Sequence, residues 1–125
     1  MTAAVDRARD AAQRAVAVCD TLIELTQPGF DDFATDTKAQ WAVEMGLIRI
    51  GEGINRIPAQ ILQQYPQQPW REIVAMRNFA AHQYDDLQPR RVWRTVVHDV
   101  PALRDYLVTT VIPGLDSGGV SAADS

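Results

Sequence analysis

Apolar residues recur three or four positions apart along most of the chain, the period of an amphipathic helix, and no strict alternation is long enough to make a strand. The first stripe, Val5, Ala8, Ala12, Ala15, Cys19, Leu22 and Ile23, predicts a long helix capped by Thr2 and ended before Pro28-Gly29. Its narrow, alanine-rich face permits close approach of a neighbouring helix. Phe30 and Phe33 are interrupted by Asp31 and Asp32, which reads as a loop whose rings clip onto the core. Asp36 or Thr35 can cap a second helix, with Trp41, Met45, Leu47, Ile48, Ile54 and Ile57 as its apolar positions. Gly46, Gly51 and Gly53 break its surface; each costs about 1 kcal/mol relative to alanine in a helix interior, and close backbone contact is one explanation for them.

Pro58 and Ala59-Gln60-Ile61-Leu62 predict a short further helix, and Tyr65-Pro66-Gln67-Gln68-Pro69 is the clearest loop inside the fold. Pro69 suits a first helical position, and Ile73, Met76 and Ala80 then recur as an inward stripe. Asp85-Asp86-Leu87-Gln88 reads as a short connection, and Pro89 again suits a helix start, followed by Val92, Trp93, Val96 and Val97. Val100-Pro101 predicts a kink or a restart, with Asp99 as a possible cap, because proline lacks a backbone donor and clashes with the preceding turn. Leu103, Tyr106, Leu107 and Val111 continue the stripe until Pro113-Gly114 ends it. These elements predict an all-α fold, an antiparallel bundle of four to five helices over residues 1–113. Residues 114–125, rich in Gly, Ser, Ala and Asp, read as a flexible tail with too little apolar surface to order itself.

With 125 residues, 46% apolar and 22% charged, the chain is expected to be one domain with a single core. No apolar run approaches the roughly 20 residues of a membrane helix, and the N-terminus lacks the order of a signal peptide, so a cytoplasmic protein without a membrane partner is expected. Cys19 is the only cysteine, which rules out an intramolecular disulfide; on an apolar stripe it reads as a small buried hydrophobe. The net charge of −4 argues against a protein held to nucleic acid by its whole surface. Between residues 70 and 94, however, five arginines (71, 77, 90, 91 and 94) face three carboxylates (72, 85 and 86), a local +2 on a remainder of −6. That fits brief contact with a polyanion, or simply a solvated helix face.

The candidate chemistry lies in that segment, where Arg77, Asn78, His82 and Tyr84 fall within eight residues on a predicted helix and its end. Arg77 offers a permanent cation with bidentate geometry for phosphate oxygens. His82 can act as base or acid, since an imidazole ordinarily titrates near pH 6.5. Five residues separate the two, roughly 140° around a regular helix, so they do not stack and must share a cleft at a frayed helix end or across two copies of the chain. Asn78 can orient His82, contact phosphate, or be a surface amide; Tyr84 can offer a hydroxyl, a stacking ring, or a half-buried aromatic that closes the helix. Glu52, among the glycines, is either an exposed or Arg-paired carboxylate or an acid that orients Arg77 or another arginine. His98, on another helix, reads as structural or surface. The carboxylate pairs Asp31-Asp32 and Asp85-Asp86 suit capping and solvation. There is no Cys/His cluster with metal-ligand spacing, no phosphate loop and no serine elbow, so neither metal nor cofactor is expected.

The pattern Arg77-Asn78-x3-His82-x-Tyr84 resembles the signature of the HEPN superfamily, in particular its HepT-like toxin branch. Gly51-Glu52, Pro69-Trp70-Arg71-Glu72-Ile73, Val92-Trp93 and Val100-Pro101-x2-Arg104 extend the resemblance over roughly residues 4 to 112; Gln83 departs from it, standing where an acidic residue is common. The resemblance implies a HEPN-like helical bundle and the toxin of a toxin–antitoxin pair. It further implies a metal-independent endoribonuclease with Arg77 and His82 catalytic and Asn78 and Tyr84 supporting. A homodimer whose active cleft lies at its interface is implied as well, and supplies the second proton-transfer group that one suitable histidine per chain lacks. Tyr84 matches the tyrosine that a partner nucleotidyltransferase antitoxin of the MntA type modifies with AMP. The alternative reading is a non-catalytic helical module that binds a nucleotide or such a nucleotidyltransferase.

Overall fold

The computed structural model describes residues 2–82 and 89–117, the side chains of 79–82 excepted. Helix α1 (Ala3–Leu25) starts where expected, the Thr2 hydroxyl accepting a 3.1 Å hydrogen bond from the Val5 amide. Helix α3 (Thr37–Asn55) is capped in the same way by Asp36, whose carboxylate accepts from Ala39 at 3.1 Å. In both, a short acceptor side chain satisfies one of the amides that a first helical turn leaves unpaired. Between them, residues Phe30–Thr35 form a short helix, α2, rather than the expected loop. Asp31 and Asp32 stand exposed in its first turn, where carboxylates complement the helix dipole. The rings do clip onto the core: Phe33 is buried, and Trp93 meets Phe30 and Phe33 at centroid distances of 5.8 and 5.7 Å.

The short helix α4 (Ala59–Leu62) and the loop to Pro69 lead into α5 (Trp70–His82). Pro69 sits one position earlier than expected, its carbonyl accepting the first helical bond from Ile73 at 3.0 Å. After residues 83–88, which lie outside the described part together with the expected Asp85–Gln88 connection, α6 (Pro89–Arg94) begins on its proline. It runs through a π-helical turn (Thr95–Asp99) into α7 (Val100–Tyr106), through a second π turn (Leu107–Val111), and on in helical form to residue 117.

Neither proline pair therefore breaks this helix. Pro101 and Pro113 each follow a π turn in which an amide bonds five residues back, Val100 to Thr95 and Ile112 to Leu107. The widened turn relieves the clash that a proline ring makes with the carbonyl four residues earlier. Asp99 accordingly stays helical and makes no capping bond, and Pro113-Gly114 does not end the stretch. The helix passes the expected boundary at residue 113: Leu115 is buried in the core, and Asp116 pairs with Arg9 at 3.0 Å. Of the expected tail, residues 118–125 lie outside the described part.

The described residues thus form an all-α bundle, with α3 between α1 and α5 and with α7 closing over α1. Cys19 is fully buried among Leu22, Val43, Leu47, Ile50, Leu103 and the rest of one continuous core. Burial, and secondarily the charge of Asp20, push its thiol up to about 12, so it behaves as the small hydrophobe expected. Two expected core positions fail: Trp41 is 63% and Met45 51% exposed, while Ala39, Val43 and Ile50 take the inward face of α3.

Candidate active site

The start of α5 is fixed by aromatic and polar contacts. The Trp70 indole donates a 2.7 Å hydrogen bond to the Tyr65 carbonyl, and its ring packs on Tyr106 with centroids 6.1 Å apart. Tyr106 in turn donates through its hydroxyl to Gln67 Oε1 at 2.6 Å. The Tyr65 phenol lies against Gly114, where a Cβ would collide with it. The proline-bracketed loop is thereby tied to the last helical stretch and sets the angle at which the motif helix approaches the bundle.

One turn further along, α5 crosses α3 at Gly51. A Cβ added to Gly51 would stand 2.9 Å from both the Arg77 amide nitrogen and the Val74 carbonyl oxygen. Close backbone contact, expected for the glycines of this helix, therefore holds for Gly51. Gly46 instead makes room for the Leu22 side chain, and Gly53 faces open space. Arg77 emerges at the crossing, half-buried, with no ion pair or side-chain hydrogen bond among the described residues. Asn78 follows it, exposed. His82 is the last residue of α5, its side chain outside the described part, and Tyr84 lies wholly outside it.

The other candidates are dispersed. Glu52 is exposed and makes no hydrogen bond or ion pair among the described residues, Arg77 included; it lines a groove on the opposite side of α3. His98 is exposed on the first π turn, in keeping with a surface role. The basic segment is not one patch either: Arg90 stacks over the Phe30 ring at 4.2 Å, and Arg71 and Arg94 are exposed on separate helices. Arg104 ties α7 to α1 through Asp20 at 2.9 Å, and these contacts, the hydrogen bond to Asp20 foremost, raise its pKa. A cavity of about 640 Å³ runs along one flank of α5, lined by Ile73 and Met76, by Val100 and Leu103, and by Glu72 and Arg91. Arg77 does not line it.

The bundle, with Arg77 at a glycine crossing and His82 at the end of the same helix, is HEPN-like. The family described as "Ribonuclease HepT-like" matches residues 12–110, and the chain belongs to that family. It is 40% identical over 75 residues to a protein named "Probable ribonuclease HepT" from Thermococcus cleftensis, a match covering 60% of this chain and 68% of that one. It is also 31% identical over 86 residues to a protein with a provisional RNase name from Caldanaerobacter subterraneus subsp. tengcongensis, covering 68% and 77% of the two chains. A third relative, again with a provisional RNase name, comes from Methanocaldococcus jannaschii, at 35% identity over 72 residues, 58% of this chain and 60% of that protein. No solved structure matches the chain.

Proposed function

We propose that this protein is the toxin of a toxin–antitoxin pair, a metal-independent endoribonuclease that cuts RNA with Arg77 and His82 at a cleft between two copies of the chain. The observation that carries the reading is Arg77 itself. A half-buried guanidinium with no carboxylate partner among the described residues is costly to keep unless it is held for an anion. The Gly51 crossing fixes its backbone, so a phosphate oxygen meets a preorganised cation. The family and the names of its relatives supply RNA as the substrate class.

In the proposed reaction a base takes the proton of the ribose 2′-hydroxyl, the 2′-oxygen attacks phosphorus, and the bond to the 5′-oxygen breaks as an acid protonates that oxygen. A 2′,3′-cyclic phosphate and a 5′-hydroxyl result. Arg77 stabilises the charge on the phosphorane-like transition state, His82 of one copy serves as base and that of the other as acid, and Asn78 and Tyr84 support them. The partner is a nucleotidyltransferase antitoxin of the MntA type. The Tyr84 phenol attacks the α-phosphorus of ATP and expels pyrophosphate, which leaves an AMP phosphodiester whose charge and bulk oppose an RNA phosphate in the cleft.

Purified protein should cut RNA in the presence of EDTA. His82→Ala and Arg77→Ala should each lower the rate by about 10²- to 10⁴-fold with the helical circular dichroism unchanged. Cleavage at the wild-type rate by either variant would reject the assignment, and no cleavage by the parent protein would leave a module that only binds.

A further inference from the structure

On the side of α3 turned away from the motif helix, α1 and α3 enclose a groove of about 490 Å³. Arg7 and Arg14 line it from α1, Arg49 and Arg56 from α3 and its end, and Ala11, Ala15, Val18 and Gly53 complete the lining. Each pair of arginines is seven residues apart, two helical turns or about 10.5 Å along its axis, so both walls present guanidinium groups at a similar repeat. Two carboxylates share the groove, and one of them, Asp10, holds Arg14 at 3.0 Å. Arg7, Arg49 and Arg56 are exposed and have no ion pair or side-chain hydrogen bond among the described residues. This chain carries 16 acidic side chains for 12 basic ones, yet three arginines of one groove have no ion pair among the described residues.

We propose that this α1–α3 groove binds the phosphate backbone of single-stranded RNA through Arg7, Arg49 and Arg56, as a track separate from the Arg77 site; the inference rests on the reading of the chain as an RNA-cutting protein. Four arginines and no lysine suit phosphate oxygens, which a guanidinium engages with two parallel hydrogen bonds. The alanine and valine lining offers ribose and base faces an apolar surface. Gly53, where a Cβ would meet nothing, leaves the groove open next to Glu52. A concave channel of this size admits a strand more readily than the flat face of an acidic protein. The link to the cutting site is α3: Gly51 supports Arg77, and the next two residues line the groove. Strand and motif helix are thus one helix diameter apart, about 10 Å.

The test uses the full chain carrying His82→Ala, so that RNA stays intact, with and without the triple change Arg7→Gln, Arg49→Gln and Arg56→Gln. Anisotropy with a labelled RNA of about a dozen nucleotides should show affinity falling about 10-fold or more at 0.1 M salt. The slope of log K against log salt should shrink by about 2, as expected for three lost contacts to a single strand. Unchanged affinity and slope, with circular dichroism confirming the fold, overturn the proposal. So does tighter binding of a glutamate-rich peptide than of RNA, lost in the triple variant, which would assign the groove to an acidic protein. In the chain with His82 intact, the triple change should raise KM for long RNA while leaving kcat and the cleavage of a dinucleotide unaltered. Absence of any cleavage by the parent chain counts against the proposed enzyme, whereas the anisotropy result still decides the groove.

Discussion

Gly51 lacks a side chain because the backbone of α5 occupies the place where one would be. Gly51→Ala must push the two helices apart at Val74 and Arg77, so we expect a loss of about 1–3 kcal/mol in urea unfolding. RNA cleavage should fall by more than the unfolded fraction accounts for. A variant with full stability and full activity would mean that Arg77 does not depend on this contact. Sequence pointed to the glycines but could not say which one mattered, since an alanine-sized vacancy is a property of two helices together. Cys19 makes a second prediction. Its thiol, raised to about 12 from 9.0, stays protonated in the fold while the unfolded chain ionises, so stability is unaffected below pH 9 and falls as pH rises beyond it. The loss approaches about 4 kcal/mol by pH 12 as an upper bound. Denaturant midpoints at pH 8 and 10.5 should drop more steeply for the parent than for Cys19→Ala, and identical slopes would remove the thiol as the cause.

At the scale of elements, caps were legible and proline was not. Thr2 and Asp36 act within three residues of themselves, so local chemistry sufficed. Pro101 and Pro113 looked like helix ends because the signal for an end and the signal for a π turn are the same residue. The spacing of the buried positions carries the missing information: Val92, Val96 and Val100, then Leu103, Leu107, Val111 and Leu115, mostly fall four apart. In a regular helix each step of four drifts about 40° off the stripe, whereas an underwound π turn keeps it facing the core. Deleting the exposed His98 should turn the first π turn into an ordinary one and restore the proline clash, at a cost of about 3 kcal/mol. Adding Pro101→Ala to the deletion should recover most of that loss in urea unfolding, and failure to recover it would show that the turn answers to something other than the proline. Trp41 and Met45 failed for the converse reason: along α3 two adjacent stripes are apolar, and only the neighbours decide which turns inward.

For the molecule as a whole, Trp41 and Met45 stand one turn apart on an exposed face and no helix among the described residues is long and apolar enough to cross a membrane. Two copies of the chain are what the proposed chemistry needs. Light scattering at micromolar concentration should give a dimer mass, and Trp41→Glu should lower it if α3 supplies the contact; a monomeric parent protein would remove the paired-histidine mechanism. Incubation with the nucleotidyltransferase and ATP should add AMP at Tyr84, read by intact mass, and Tyr84→Phe should resist silencing. An adduct mapped elsewhere, with toxicity still suppressed, would point to occlusion by the partner. The bundle was legible in the helical period and the motif in a contiguous stretch. The arginine groove was not, because its walls are some forty residues apart in sequence and meet only in the fold.

Arg9 in α1 reaches Asp116, and Leu115 fills the core beside it. A ribosome therefore makes α1 well before the segment that encloses it. Until then the alanine face of α1 has lost its second cover, and the loop that aims the motif helix has no Gly114 to lean on. The bundle thus closes late: the support for the angle at which α5 meets the rest of the fold is not in place until residues 114–116 have joined it.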